Sequence, residues 1–336
     1  MKEDNLEFLI NDKKLKKAYR KAKFISTVRT IVIVILIIIP LYIAFTIINT
    51  RITYKIGTKY YNEVKKILEV TKPNSYVSKV DDVIGIFGAS GQYTVSKLVG
   101  YRPIELYDET STYGLVGNIT LKDVLMSEYR GGYQKAGEWP VNIDKSGNLA
   151  MMVFHPDIKY KEYKNDLSLL NKISKDSLLE MTISFDKKYK GNEIAEILPD
   201  ANISEILIDG YSEDEMSQYR KKTSEYDGKA AYIREYYFIG FAVDTSIKFE
   251  AAAEISKKYK NFLDDLQFDY KYNKGYGKRF STIYSTLKAK DQLQGDKVDI
   301  IGVVVYGTPE ELQKLKSNPH IKASSAGIVT RDIVFK

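Results

Sequence analysis

TIVIVILIIIPLYIAFTIINT, residues 30–50, has no charged side chain between Arg29 and Arg51. As a helix at about 1.5 Å per residue, the run covers the roughly 30 Å hydrocarbon core of a bilayer. It is too long for a strand, because strands in globular domains rarely exceed about ten residues. In lipid, only a helix satisfies its own backbone hydrogen bonds within one segment. The run therefore reads as a single transmembrane helix, with Pro40 as the place where a kink is expected.

The flanks set the orientation. Lys16, Lys17, Arg20, Lys21, Lys23 and Arg29 crowd the N-terminal side, and the sparser Arg51, Lys55 and Lys59 follow the run. This bias predicts a cytoplasmic N-terminus, with the chain after the helix extracytoplasmic in a cell membrane. A cleaved secretion signal has an apolar core of about 7–15 residues and a small-residue cleavage site. This run is longer and ends in FTIINTRITYK, so an uncleaved anchor is expected. The net charge of +7 follows the same pattern. Residues 1–30 hold nine basic and four acidic side chains, and the remaining 306 hold 42 and 40. The excess is a topology signal and not a nucleic-acid face. With no Cys in the chain, disulfides, thiolate metal sites and Cys nucleophiles are excluded.

Residues 1–29 form a basic leader with a partial helical stripe, Leu6, Leu9 and Ile10, then, after a break, Leu15, Ala18, Tyr19 and Ala22. Two readings fit the stripe: a helix lying on anionic lipid, or a docking helix for a cytoplasmic partner. Residues 51–75 read as a helical stalk, with Ile56, Tyr60, Val64, Ile67 and Leu68 at helical spacing and Pro73 ending it. Residues 76–177 alternate short β-prone runs with turns and form a β-rich part. Asp81-Asp82 is expected in a turn and Asp264-Asp265 on a helix, both as solvated charge. Residues 178–336 form an α+β domain.

That last part contains an internal echo. LEMTISFDKKYKGNEIAEILPDANISEILI (179–208) and DIIGVVVYGTPEELQKLKSNPHIKASSAGIV (299–329) each run from a β-prone stretch through a short helix to a second β-prone stretch. Two β-α-β units predict an α+β sandwich with helices on one face of a mixed sheet. Thr308-Pro309-Glu310-Glu311 is a helix start with cap, Pro and capping-box acid. AAYIREYYFIGFAVD between the copies reads as a strand, and Thr245–Phe268 as a long amphipathic helix.

Chemistry is sparse. GxSxG, HExxH and phosphate-loop spacings are missing, and His155 and His320 stand 165 residues apart. Catalytic residues, a metal site and a cofactor are therefore not assigned. The chain does resemble the sigma-factor-regulator family of Firmicutes, in the Lys-rich leader and Ile-rich span, in FHPDIKYKEYKNDLSLLNKI, in LLEMTISFDKKYKGNEIAEILP and in the second echo copy. The resemblance implies an N-terminal regulator region around the span and an anti-sigma-factor C-terminal domain over 178–336. It implies a membrane-anchored regulator that restrains an extracytoplasmic-function sigma factor, directly or through a membrane co-regulator, until an envelope signal arrives. From the residues alone, a binding or scaffold module for envelope glycan, peptide or a membrane protein remains the alternative.

Overall fold

One helix, α1 (Lys2–Thr71), runs unbroken through leader, apolar run and stalk, with Pro40 inside it. The computed structural model describes residues 2–72, 74–114, 129–133, 138–144, 146–225, 228–229, 231–243 and 251–331. Of 2–13, 129–133, 251–252 and 331 it describes the backbone alone, so Pro73, Tyr226, the expected helix start at Thr245 and the side chains of Leu6, Leu9 and Ile10 lie outside it. The apolar window of α1 is entirely unburied by the rest of the chain and is long enough to cross a membrane. Beyond it the predicted stripe is used: Tyr60, Val64, Ile67 and Leu68 are buried.

β1 (Ser75–Ile84), β2 (Ala89–Val99) and β3 (Arg102–Tyr113) form an antiparallel meander against this end of α1. Asp81 and Asp82 fall within β1 and not in a turn. Gly57 of α1 permits the close approach, since a Cβ there would stand 2.7 Å from the Tyr113 ring. Tyr60, Tyr61, Tyr93 and Tyr113 pack their rings between helix and meander with centroids 5.3–6.4 Å apart. The short strands β4 (Tyr129–Tyr133) and β5 (Val141–Asp144) pair with each other, and β6 (Met152–Val153) follows. Asp166–Lys172 is a 3-10 helix burying Leu167 and Leu170.

The echo becomes β7 (Ser177–Tyr189), α2 (Gly191–Ile197) and β8 (Asn202–Ile208), and later β11 (Ile300–Gly307), α6 (Pro309–Gln313) and β12 (Ile321–Arg331). Between them lie α3 (Glu213–Lys222), β9 (Ile233–Arg234), β10 (Gly240–Ala242), α4 (Ala251–Leu266) and α5 (Lys274–Ala289). The expected single strand of AAYIREYYFIGFAVD is broken by a 3-10 turn at Glu235–Tyr237. The sheet order is β10-β8-β11-β7-β12, and every neighbouring pair is antiparallel. The two β-α-β units interleave: β11 separates β7 from β8, and β7 separates β11 from β12. Each unit keeps its own strands parallel but never adjacent, so the sheet is antiparallel where a mixed one is expected. This is the split β-α-β arrangement of ferredoxin-like folds, extended by β10. Thr308 caps α6 by accepting from the Glu311 N–H, and the Glu311 carboxylate accepts from the Thr308 N–H at 2.8 Å, as the sequence predicts.

All of residues 177–185 in β7 are buried, so both faces of this central strand are covered. Leu179, Met181, Ile183 and Phe185 join Ile194, Ile255 and Leu312 in the main apolar core. Thr182 Oγ1 donates to the Met152 carbonyl, and Ser184 Oγ accepts from the Phe154 N–H. Glu180 meets Lys97 of β2, whose Nζ lies 3.0 Å from Glu180, 3.5 Å from Glu205 and 3.3 Å from Glu235. This buried cluster pins meander to sheet. Burial pushes the Glu180 carboxyl up to about 7 against the pull of Lys97. Burial acts on Glu235 in the same direction, but Lys97 and Lys72 outweigh it and hold that carboxyl below its ordinary value.

Lys97→Met leaves three buried carboxyls without their shared cation. We expect it to lower the unfolding free energy by about 3–5 kcal/mol at pH 8, read by urea denaturation. Part of the loss returns at pH 5, because the folded variant then holds more protons than the unfolded chain. An unchanged midpoint at pH 8 would show that the cluster does not bind the two sheets together.

Candidate functional site

The predicted contact residues divide along α1. Leu15 and Tyr19 are 71% and 69% exposed, on a stretch of the helix, residues 14–44, that is exposed throughout. At about 100° per residue, Leu15, Ala18, Tyr19 and Ala22 share one face, Lys17, Arg20 and Lys21 fall on the opposite side, and Lys16 and Lys23 flank the apolar face. Position 10 is turned about 140° from position 15 on a continuous helix, so the expected stripe does not run straight through the leader. Because α1 enters the apolar run without a break, residues 14–29 project about 22 Å along its axis. Arg29 sits at the edge of the apolar run.

At its other end α1 is locked into the body. Glu63 is 2% exposed, and its carboxylate accepts from the Lys271, Tyr272 and Asn273 N–H groups at 2.9–3.1 Å and from Asn273 Nδ2 at 3.0 Å. Those amides lead into α5, so the carboxylate also meets the positive end of that helix. One turn on, Lys66 pairs with Asp265 of α4. Asp265 is buried at 5% exposure, which corrects the expectation of solvated charge there, while the neighbouring Asp264 is exposed as expected. On the meander side, Tyr61 Oη donates to Asp82 at 2.7 Å. Burial, then this carboxylate, pushes the Tyr61 hydroxyl up to about 12. A cleft of about 450 Å³ opens beside the joint, lined by Glu69, Asn74, Phe241, Lys258, Phe262 and Asp265. Partial burial and the neighbouring Asp265 push the Glu69 carboxyl up to about 7.

Sequence reasoning passed over Glu63, although a signal was present. Glu63 shares the apolar face of Tyr60, Val64 and Ile67, and an acid on a buried face requires donors. The donors themselves, three consecutive backbone amides some 208 residues away, carry no side-chain signature.

A second polar cluster lies in the sheet half. His155, Asp157 and Asp209 place ligand-type atoms within 4.8 Å of one another. Lys188 Nζ lies 2.8 Å from Asp209 and 2.6 Å from Asp157, and Lys290 Nζ lies 2.9 Å from Asp209. Two ammonium groups thus hold the cation positions around Asp209, a donor set that does not suit a divalent metal. Burial alone would raise the Asp209 carboxyl, but His155, Lys188 and Lys290 hold it well below the usual carboxylate range. The cluster ties β7, β8, α5 and the His155 turn together.

Comparison with known families matches residues 16–104 to the sigma factor regulator N-terminal region and residues 170–328 to the sigma factor regulator C-terminal region. No curated protein and no solved structure matches the chain. The N-terminal match takes in the leader from Lys16, the apolar run, Glu63, β1 and β2, and the C-terminal match takes in the interleaved sheet up to residue 328 in β12. With both regions present, in order and over most of its length, the chain belongs to the sigma factor regulator family, as an anti-sigma-factor-like regulator carrying a candidate membrane span.

Proposed function

We propose that this regulator restrains an extracytoplasmic-function sigma factor through the exposed face of its leader, either directly or through a membrane co-regulator. On this reading the N-terminus is cytoplasmic, the body is extracytoplasmic, and an envelope signal acts on the body. The observation that carries the proposal is the single helix joining Leu15 and Tyr19 to the Glu63 joint. A stiff element that is covalently continuous from one side of a membrane to a buried carboxylate on the other converts a shift of the body into a shift of the leader. The amphipathic face at 15–22 is the chemistry of helix-in-groove recognition.

The reading makes two predictions. Leu15→Glu with Tyr19→Glu, in the full-length protein, should raise transcription of the sigma factor's regulon at least about tenfold without a signal, the loss of roughly 1.4 kcal/mol or more of binding. Transcript profiling that finds no coherent regulon would favour the scaffold alternative instead. Glu63→Ala leaves buried amides without an acceptor, at a cost of about 1–3 kcal/mol. Hydrogen exchange at residues 271–273 should quicken at least about fivefold, and the regulon's response to envelope stress should flatten. Faster exchange with an intact response would show that the joint is structural and does not transmit.

A further inference from the structure

β1 leaves the end of α1 and runs back alongside it. Its ten residues, at about 3.3 Å each, cover about 33 Å. The stretch of α1 from Thr71 back to Asn49 covers the same distance at about 1.5 Å per residue. The β1–β2 turn therefore comes down to the C-terminal edge of the apolar run, and its contacts fix the level. Asn49 Nδ2 donates to the Gly85 carbonyl at 3.0 Å, and the Phe87 ring meets the Phe45 ring edge-on with centroids 6.0 Å apart. Phe45 lies inside the uncharged run, about 7 Å along the axis from Thr50.

At this level the turn presents its apolar side chains outward. Val83 is 73% exposed, Ile84 40%, Ile86 51% and Phe87 59%. Single exposed apolar residues are ordinary, but four within five positions of one turn are not. No charged residue occurs between Asp82 and Lys97. The turn's backbone is also prepared for a low-dielectric surrounding. The Gly85 N–H donates to the Gly88 carbonyl at 2.7 Å, and the Gly85 carbonyl is taken by Asn49. Asp82, held by Tyr61, and the Lys79–Asp81 pair mark where the polar part of the hairpin begins.

We propose that the turn Val83–Gly88 inserts into the leaflet from which α1 emerges, down to the boundary between headgroups and acyl chains, as a second membrane contact beside the span. The proposal rests on reading residues 30–50 as transmembrane. Its partner is the bilayer surface itself, met by apolar side chains at the depth of about 5–10 Å typical of interfacial segments.

The chain has no native Cys, which allows single-site labelling of the full-length protein. Ile39→Cys, Ile86→Cys, Phe87→Cys and Leu169→Cys, each carrying a small environment-sensitive fluorophore, are reconstituted in phosphatidylethanolamine–phosphatidylglycerol vesicles. Nitroxides are placed both near the top of the acyl chains and near the bilayer midplane, and iodide is added to the water. Near-UV circular dichroism matching the parent confirms folding. Labels at 86 and 87 should lose about half of their emission to the shallow nitroxide, as the label at 39 does to the midplane one, and resist iodide, while the label at 169 shows the reverse. Labels at 86 and 87 that follow 169 while 39 remains lipid-quenched would overturn the insertion and leave the span intact. Shielding of 86 and 87 from both quenchers would overturn it in favour of a protein cover, such as a second copy. Failure of lipid quenching at 39 would instead overturn the span, and with it the ground of the proposal.

Discussion

The Glu63 carboxylate is the constraint on which the arrangement depends. Removing such a charge from water costs several kcal/mol, and here three successive backbone amides and an amide side chain offset that cost. The geometry of those donors fixes the rotation and axial position of α1 relative to α5. Sliding the helix by one residue brings Val64 or Asn62 to a place shaped for a carboxylate. The Lys66–Asp265 pair and the tyrosine rings of the meander hold the same few turns from other sides. A tilt or twist of the helix therefore cannot be absorbed where it enters the body.

What the sequence disclosed follows from how local each signal is. The uncharged run, the stalk stripe and the Thr308 helix start each depend on neighbours within a turn or two, and the structure carries all three. The echo was legible as two β-α-β units because each unit is contiguous. Their interleaving was not, because the partner of β7 is chosen by the other copy. Asp264-Asp265 illustrates the limit of composition: the two look alike in sequence, yet Asp265 faces Lys66 from an element about 200 positions earlier. The leader stripe was read in two pieces. Only the unbroken phase of α1 shows that Leu15 and Tyr19 form a face apart from the positions before them.

Polar groups in this protein concentrate where pieces meet. Lys97 with its three glutamates joins meander to sheet, and Asp209 with His155, Lys188 and Lys290 joins β7, β8 and α5. Elsewhere in the sheet, side-chain contacts are mainly apolar, joined by hydroxyl hydrogen bonds such as those of Thr182 and Ser184. Apolar contacts tolerate small slips, whereas a charge stripped of its counter-charge in a buried setting does not. The clusters thus specify one mutual arrangement of the parts, and the apolar core supplies the bulk of the stabilisation.

The interleaved sheet also governs the order in which the chain can fold. Ile183 of β7 lies between Val303 and Ser324, so both neighbours of this central strand come from the far end of the sequence. During synthesis β7 emerges and stays unpaired until more than a hundred further residues have followed. A strand that is apolar on one face and waiting with two open edges is a template for wrong pairing. The topology also places the protein among slow folders, since β7 must meet the distant β11 and β12 before the centre of the sheet closes. A chain built this way depends on β7 avoiding wrong partners during that interval as well as on the stability of the finished fold.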